Sequence, residues 1–96
     1  MIVRYRPEIE DDIAEAFEFY EGKRTGLGTE FVQEYRQALD IVVDRPLSIA
    51  FARHGYRLCQ LKRFPYLIHF DVSDDAVLIV AVLATARGDE WMLDRG

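Results

Sequence analysis

The chain is predicted to fold as an α+β domain in the order β-α-α-β-β-β, with a helical hairpin packed on a mostly antiparallel sheet. Three observations carry this. Residues 8–44 hold two stretches whose apolar positions recur at spacings of three and four, parted by Thr25-Gly26-Leu27-Gly28. Residues 66–72 alternate apolar and polar. Residues 76–84 are apolar at every position, the mark of a central strand buried on both faces. Helices in one run and strands in another favour layers over an alternating parallel fold.

Ile2 to Arg6 is a short strand. Pro7 suits the first position of a helix, and Glu8 and Glu10 put negative charge at its positive end. Ile9, Ile13, Ala16, Phe17 and Tyr20 form its apolar face, with Glu10, Asp11, Glu15, Glu18 and Glu21 mostly opposite. Lys23 and Arg24 occupy the last turn, where the dipole favours cations. Thr29 is a candidate N-cap for the second helix. Phe31, Tyr35, Ala38, Leu39 and Val42 face its core. Pro46 disfavours helix at Arg45, so the helix ends near Asp44. A link of about four to six residues makes the pair an antiparallel hairpin.

Tyr56 to Leu61 is the next strand, followed by a turn at Arg63-Phe64-Pro65. Along 66–72, Tyr66, Ile68, Phe70 and Val72 share one face, and Leu67, His69 and Asp71 the other. Ser73-Asp74-Asp75 turns the chain into the apolar strand. Glu90 to Gly96 is a tail with room for one helical turn. There is no internal repeat or linker, and residues 1–96 are read as a single domain.

Net charge is −5, but unevenly spread. Residues 1–50 hold six Lys/Arg and eleven Asp/Glu, and residues 51–96 hold six of each. Arg53, Arg57, Lys62 and Arg63 all precede Asp71, so an acidic front half meets a locally basic segment. Cys59 is the only cysteine, which excludes an internal disulfide and fits a reducing cytoplasm. The opening Met1-Ile2-Val3-Arg4 starts no apolar stretch of signal-peptide length. The longest apolar run has nine residues, too few to span a bilayer. A cytoplasmic location without membrane contact is expected.

Several motifs carry no chemistry. His54, Cys59 and His69 match no metal-site spacing, so no metal and no cofactor is expected. Cys59 reads as a small buried hydrophobe, and His69 as solvent-facing or hydrogen-bonded on its strand. Gly26-x-Gly28 lacks the third glycine of a phosphate cradle and follows a helix, not a strand. No serine has a histidine and an acid at a family spacing. Phe64-Pro65-Tyr66 reads as a structural turn.

The ordered set of pieces resembles the RelE/ParE superfamily of toxins from type II toxin–antitoxin systems, which includes plasmid-stabilisation proteins. Phe17-Glu18-Phe19-Tyr20-Glu21 closes the first helix in the family's manner. Gly26-Leu27-Gly28, then Glu30-Phe31, resembles its hairpin, and Pro46 its helix exit. Arg57 and Leu61-Lys62-Arg63-Phe64-Pro65-Tyr66-Leu67-Ile68 form the most specific stretch. Val80-Ala81-Val82-Leu83, then Arg87 and Trp91, resembles its last strand and tail. The likeness runs from end to end. Departures are Ala84, where many relatives carry histidine, and Gly88-Asp89, where many carry Asp-Pro. No tyrosine follows Tyr66, whereas ribonuclease relatives use one near the C-terminus.

The resemblance implies one of three functions. A ParE-like toxin inhibits DNA gyrase by binding it, and the departures favour this member. A RelE-like toxin cleaves mRNA at the ribosome without a metal, through attack of a ribose 2′-hydroxyl on the adjacent phosphate. In that case Arg57, Lys62, Arg63 and Arg87 are the candidate catalytic set. The cations stabilise the phosphorane, and Lys62, between Arg57 and Arg63, takes the hydroxyl proton. Arg87 is the preferred member because it follows a buried strand directly; on this reading Arg87→Ala abolishes toxicity with the fold intact. The plainer reading makes the set solvated charges on a sheet edge, which discourage aggregation. The third function is a non-toxic domain that only binds an antitoxin. All three share a cognate antitoxin as partner, whose disordered tail folds onto the toxin. Its groove is expected beside the hairpin or sheet, with Leu27, Phe51 and Trp91 as candidate exposed contacts.

Overall fold

A computed structural model describes residues 2–50, 55–88 and 91–95. The elements are β1 (Ile2–Tyr5), α1 (Glu8–Lys23), α2 (Leu27–Asp44), a 3-10 turn (Pro46–Ser48), β2 (Arg57–Gln60), β3 (Tyr66–Val72), β4 (Ala76–Ala84), a second 3-10 turn (Thr85–Arg87) and α3 (Trp91–Arg95). The sheet runs β1-β4-β3-β2. β4 pairs antiparallel with β3 and parallel with β1, and β2 pairs antiparallel with β3. The expected α+β order and mostly antiparallel sheet are therefore present, with β4 in the interior, where its unbroken apolar run belongs.

The two helices pack on one face of the sheet. Ile9, Ala16, Phe31, Tyr35, Ala38 and Val42 from the helices meet Ile68, Phe70, Val77, Ile79 and Val82 from β3 and β4. Tyr20, Phe31, Phe64 and Tyr66 interlock here as an aromatic cluster, with ring centroids 4.7 to 5.9 Å apart. The other face is covered by the tail: Trp91 packs with Val80, Ala81 and Leu83, flanked by Tyr56, Leu78 and Met92.

A strand of strict alternation would send Val77, Ile79 and Ala81 to one face. Here the register slips between His69 and Phe70: His69 faces Ala81 while Phe70 faces Ile79, so Val80 has no partner across β3. This β-bulge switches the phase of β4. Val77, Ile79 and Val82 reach the helices, and Val80, Ala81 and Leu83 reach the tail. The apolar run hides the switch, because every residue in it suits either face.

The second helix begins three residues earlier than an N-cap at Thr29 indicates. The α2 helix starts at Leu27, with Gly26 before it at φ 90°, a left-handed conformation that favours glycine. The cap comes from α1: the Glu21 carboxylate accepts from the Gly26 N–H at 2.9 Å and the Gly28 N–H at 3.0 Å. A negative charge five residues back thus does what an N-cap side chain does, satisfying the free N–H groups of the first turn. A Cβ at Gly28 would lie 2.7 Å from the Phe17 carbonyl oxygen, so only glycine lets the two helices approach this closely. The link is Arg24-Thr25-Gly26, shorter than expected. The β2 strand is also shorter by one residue at each end, while β3 and β4 have the expected bounds. The tail's helical turn is α3.

Candidate functional site

The basic residues do not assemble into one cationic centre. Lys62, Arg63 and Arg87 lie at the same end of the sheet, since the start of β3 pairs with the end of β4 (Tyr66 opposite Ala84). Arg57 lies at the opposite end of β2, across from Phe70, and its guanidinium donates to the Ile49 carbonyl. Arg63 is committed to α2. Its Nε donates to Glu34 at 2.9 Å, its backbone N–H donates to the other oxygen of the same carboxylate, and its Nη1 reaches Glu30 at 3.1 Å. Glu30 also accepts from Arg24 at 2.9 Å. Burial pushes the Glu34 carboxyl up, but the backbone N–H and guanidinium of Arg63 outweigh it and hold the group below the ordinary 4.5. The Arg63 guanidinium, held first by Glu34 and then by Glu30, is raised in turn. Such a residue tethers the β2–β3 turn to the hairpin; its charge is already matched.

Lys62 and Arg87 are exposed as Arg63 is, but no buried carboxylate holds either of them. Arg87 lies 3.9 Å from Glu15, at the outer limit of an ion pair. It shares its neighbourhood with Tyr66, whose phenol burial pushes above its ordinary value of 10.0, with Tyr20 and Glu15 adding to the rise and Arg87 opposing it. Near neutral pH that phenol is a hydrogen-bond donor and no base. Lys62 extends from the β2–β3 turn. Among the described residues no group of three His, Cys, Asp or Glu side chains could hold a metal ion. Cys59 is half-buried, and burial raises its thiol.

The expected apolar contacts fare differently from one another. Phe51 and His54 lie outside the described residues. Leu27 is half-buried and leans on the core at the start of α2. Trp91 is not an exposed contact: it is only 6% exposed, with its ring 4.6 Å from that of His69, because the bulge turns Val80 and Ala81 toward the tail and the indole covers them. His69 is likewise buried and not solvent-facing. No helix among the described residues is long and apolar enough to cross a membrane.

An open apolar groove of about 900 Å³ lies along the hairpin. Ile13 and Phe17 from α1 and Val32, Tyr35 and Leu39 from α2 form its apolar lining, and Tyr5 and Pro7 close one end. Glu10 and Glu18 stand on its α1 rim and Arg36 on its α2 rim. The sequence assigned Ile13, Phe17 and Leu39 to the core, yet each is only partly buried. The signal for a groove was Val32, which widens the apolar arc of α2 beyond what one sheet can cover.

No family model and no curated protein matches the chain. A chain of a solved structure described as "Chromosomal ParDE TA system from P. aeruginosa" does match. It superposes with a TM-score of 0.77 at 16% identity, over 88% of this chain and 95% of that one. The chain shares the fold of that ParDE-system chain. That likeness covers the whole layout, helical hairpin on four-stranded sheet. The fold is now fixed independently of the short motifs that resemble the RelE/ParE superfamily.

Proposed function

We propose that this chain is a ParE-like toxin of a type II toxin–antitoxin system, which inhibits DNA gyrase by binding it and is neutralised by an antitoxin segment seated in the hairpin groove. The observation that carries the reading is the groove itself. Apolar side chains line an open trough along a fold shared with a ParDE-system chain. Exposed apolar surface in such a place marks a site for another protein.

The cations favour binding over RNA cleavage. A phosphorane needs several donors aimed at one point. Here Arg63 is matched by two carboxylates and Arg57 sits at the far end of β2, so two of the four are spent elsewhere. The net charge of −5 gives little general attraction for a phosphate backbone.

Pulse-labelling after induction of the chain alone in a bacterium tests the proposal. Thymidine incorporation should fall within the first minutes while methionine incorporation continues. An early fall in methionine incorporation with DNA synthesis intact transfers the function to mRNA cleavage. No effect on either, with soluble protein present, leaves an antitoxin-binding domain without toxicity.

A further inference from the structure

The rim of the hairpin groove defines the chemistry of what fills it. Glu10 and Glu18 lie on one side of α1, eight residues apart, with Ala14 between them. At the rise of a helix this spaces the two carboxylates by about 12 Å along the groove. Both are exposed, and neither has an ion pair among the described residues. Asp11 and Glu15 extend the same acidic surface outward, with no cation on α1 before Lys23. The opposite rim offers Arg36, also exposed and without an ion pair among the described residues, while a second cation, half-buried Arg6, lies between Tyr5 and Pro7 away from the Glu10–Glu18 flank. Between the rims the trough is lined by apolar side chains, Ala14 among them.

We infer that the groove takes an amphipathic helix with an apolar stripe and two cationic side chains about eight positions apart on the flank that faces α1. The inference rests on reading the groove as the seat of a partner segment, and it adds that segment's charge pattern. An apolar stripe at spacings of three and four fills the trough over Ile13, Phe17, Val32 and Leu39. Lysine or arginine beside it meets Glu10 and Glu18, whose charges stay in water and so act on selectivity and encounter rate more than on raw affinity. An acid on the other flank meets Arg36.

The test uses two fluorescein-labelled synthetic helical peptides with the same leucine stripe, one bearing lysines and the other glutamates on the flank. Fluorescence anisotropy with the full chain should give on the order of tenfold tighter binding of the lysine peptide, shrinking as salt screens the rim. Charge reversal by Glu10→Lys with Glu18→Lys should invert the preference, and Ala14→Arg, which fills the trough, should weaken both peptides. Equal binding of the two peptides, tighter binding of the acidic one, no binding of either, or a preference untouched by the reversal overturns the inference. So does self-association of the chain in sedimentation that Ala14→Arg abolishes, which would make a second copy the occupant. Growth after induction is followed in parallel. Growth inhibition without charge preference sinks this inference and leaves the toxin reading standing. Charge preference without growth inhibition does the reverse.

Discussion

Arg95, from the last helical turn of the chain, forms a two-pronged ion pair with Asp12 of α1, Nη2 to Oδ1 at 2.6 Å and Nη1 to Oδ2 at 2.7 Å. The pair sits where β4 loses its parallel neighbour. Pairing with β1 stops at Ile79, whose carbonyl accepts from the Arg6 N–H. Beyond that point the strand edge has polar groups to satisfy. Asp12 Oδ2 accepts from the Val82 N–H at 3.0 Å, and Arg95 Nη1 donates to the Val80 carbonyl at 3.2 Å. Two side chains thus replace a missing strand beside the bulge. Their side chains are only 4% and 11% exposed, and the ion pair with Asp12 raises the Arg95 guanidinium.

Removing one partner is therefore expected to cost more than a surface ion pair does. Asp12→Ala leaves a buried guanidinium and an unsatisfied Val82 N–H, and should lower the unfolding free energy by about 3–5 kcal/mol. Urea titration followed by tryptophan fluorescence checks this, since Trp91 lies in the same short helix as Arg95. A loss below about 1 kcal/mol, the scale of an exposed pair, would mean that the tail does not hold the β4 edge.

Glycine substitutions should split in sign along the hairpin. Gly28→Ala places a Cβ 2.7 Å from the Phe17 carbonyl oxygen, a backbone atom that cannot swing aside. Overpacking of this kind costs about 1–3 kcal/mol. Gly22 lies inside α1 with nothing within 4 Å of an added Cβ. Gly22→Ala should stabilise by about 0.5–1 kcal/mol, by removing the flexibility of glycine from a helix. Thermal melts of the two variants against the parent decide the matter; equal shifts would remove the close approach as the reason for glycine at 28.

These features mark the limit of what the sequence made legible. The helices and β3 follow from periodicity, and β4 from an unbroken apolar run that suits burial on both faces. The roles of Asp12, Glu21 and Glu34 do not. All three look like members of a solvated acidic face, and what distinguishes them is a backbone partner outside their own helix: the Val82 N–H, the hairpin glycines, the Arg63 backbone. The dispersal of the candidate catalytic set was hidden for the same reason. Arg63 is adjacent to Lys62 in sequence, yet its side chain is drawn back to α2. Trp91 was legible as apolar but not as covered, since the bulge that turns Val80 and Ala81 toward it leaves no trace in an all-apolar run.

Glu34 should make part of the stability depend on acid pH. Its carboxyl is held below the ordinary 4.5 by Arg63 despite burial. A group depressed in the folded state stabilises fully above its unfolded value, and that contribution is lost as pH falls through the folded one. The loss therefore begins near 4.5 and grows toward lower pH. Glu34→Gln keeps the shape but removes the charge, so it should lower stability at neutral pH and flatten the decline below 4.5. Urea unfolding across that range measures both effects. A parent and variant with parallel acid limbs would show that the carboxylate's charge is not what ties the β2–β3 turn to α2.

Lys62 and Arg87 offer the sharpest contrast between binding and cleavage. Lys62→Ala with Arg87→Ala removes the members of the basic set that neither a buried carboxylate nor a backbone carbonyl holds. Both side chains are exposed, so the fold should change by no more than about 0.5 kcal/mol. A ribonuclease that relies on these charges would lose electrostatic stabilisation of its transition state, at a cost on the order of a hundredfold or more in rate. Growth inhibition should then disappear, together with any cleavage of ribosome-bound mRNA mapped by primer extension. A toxin that acts by binding gyrase has no phosphorane to stabilise. The double variant is expected to keep its growth inhibition and to go on suppressing thymidine incorporation. Loss of toxicity in a variant whose melting curve matches the parent would instead assign this end of the sheet to the target, and Arg87 on its own would then separate the two cations.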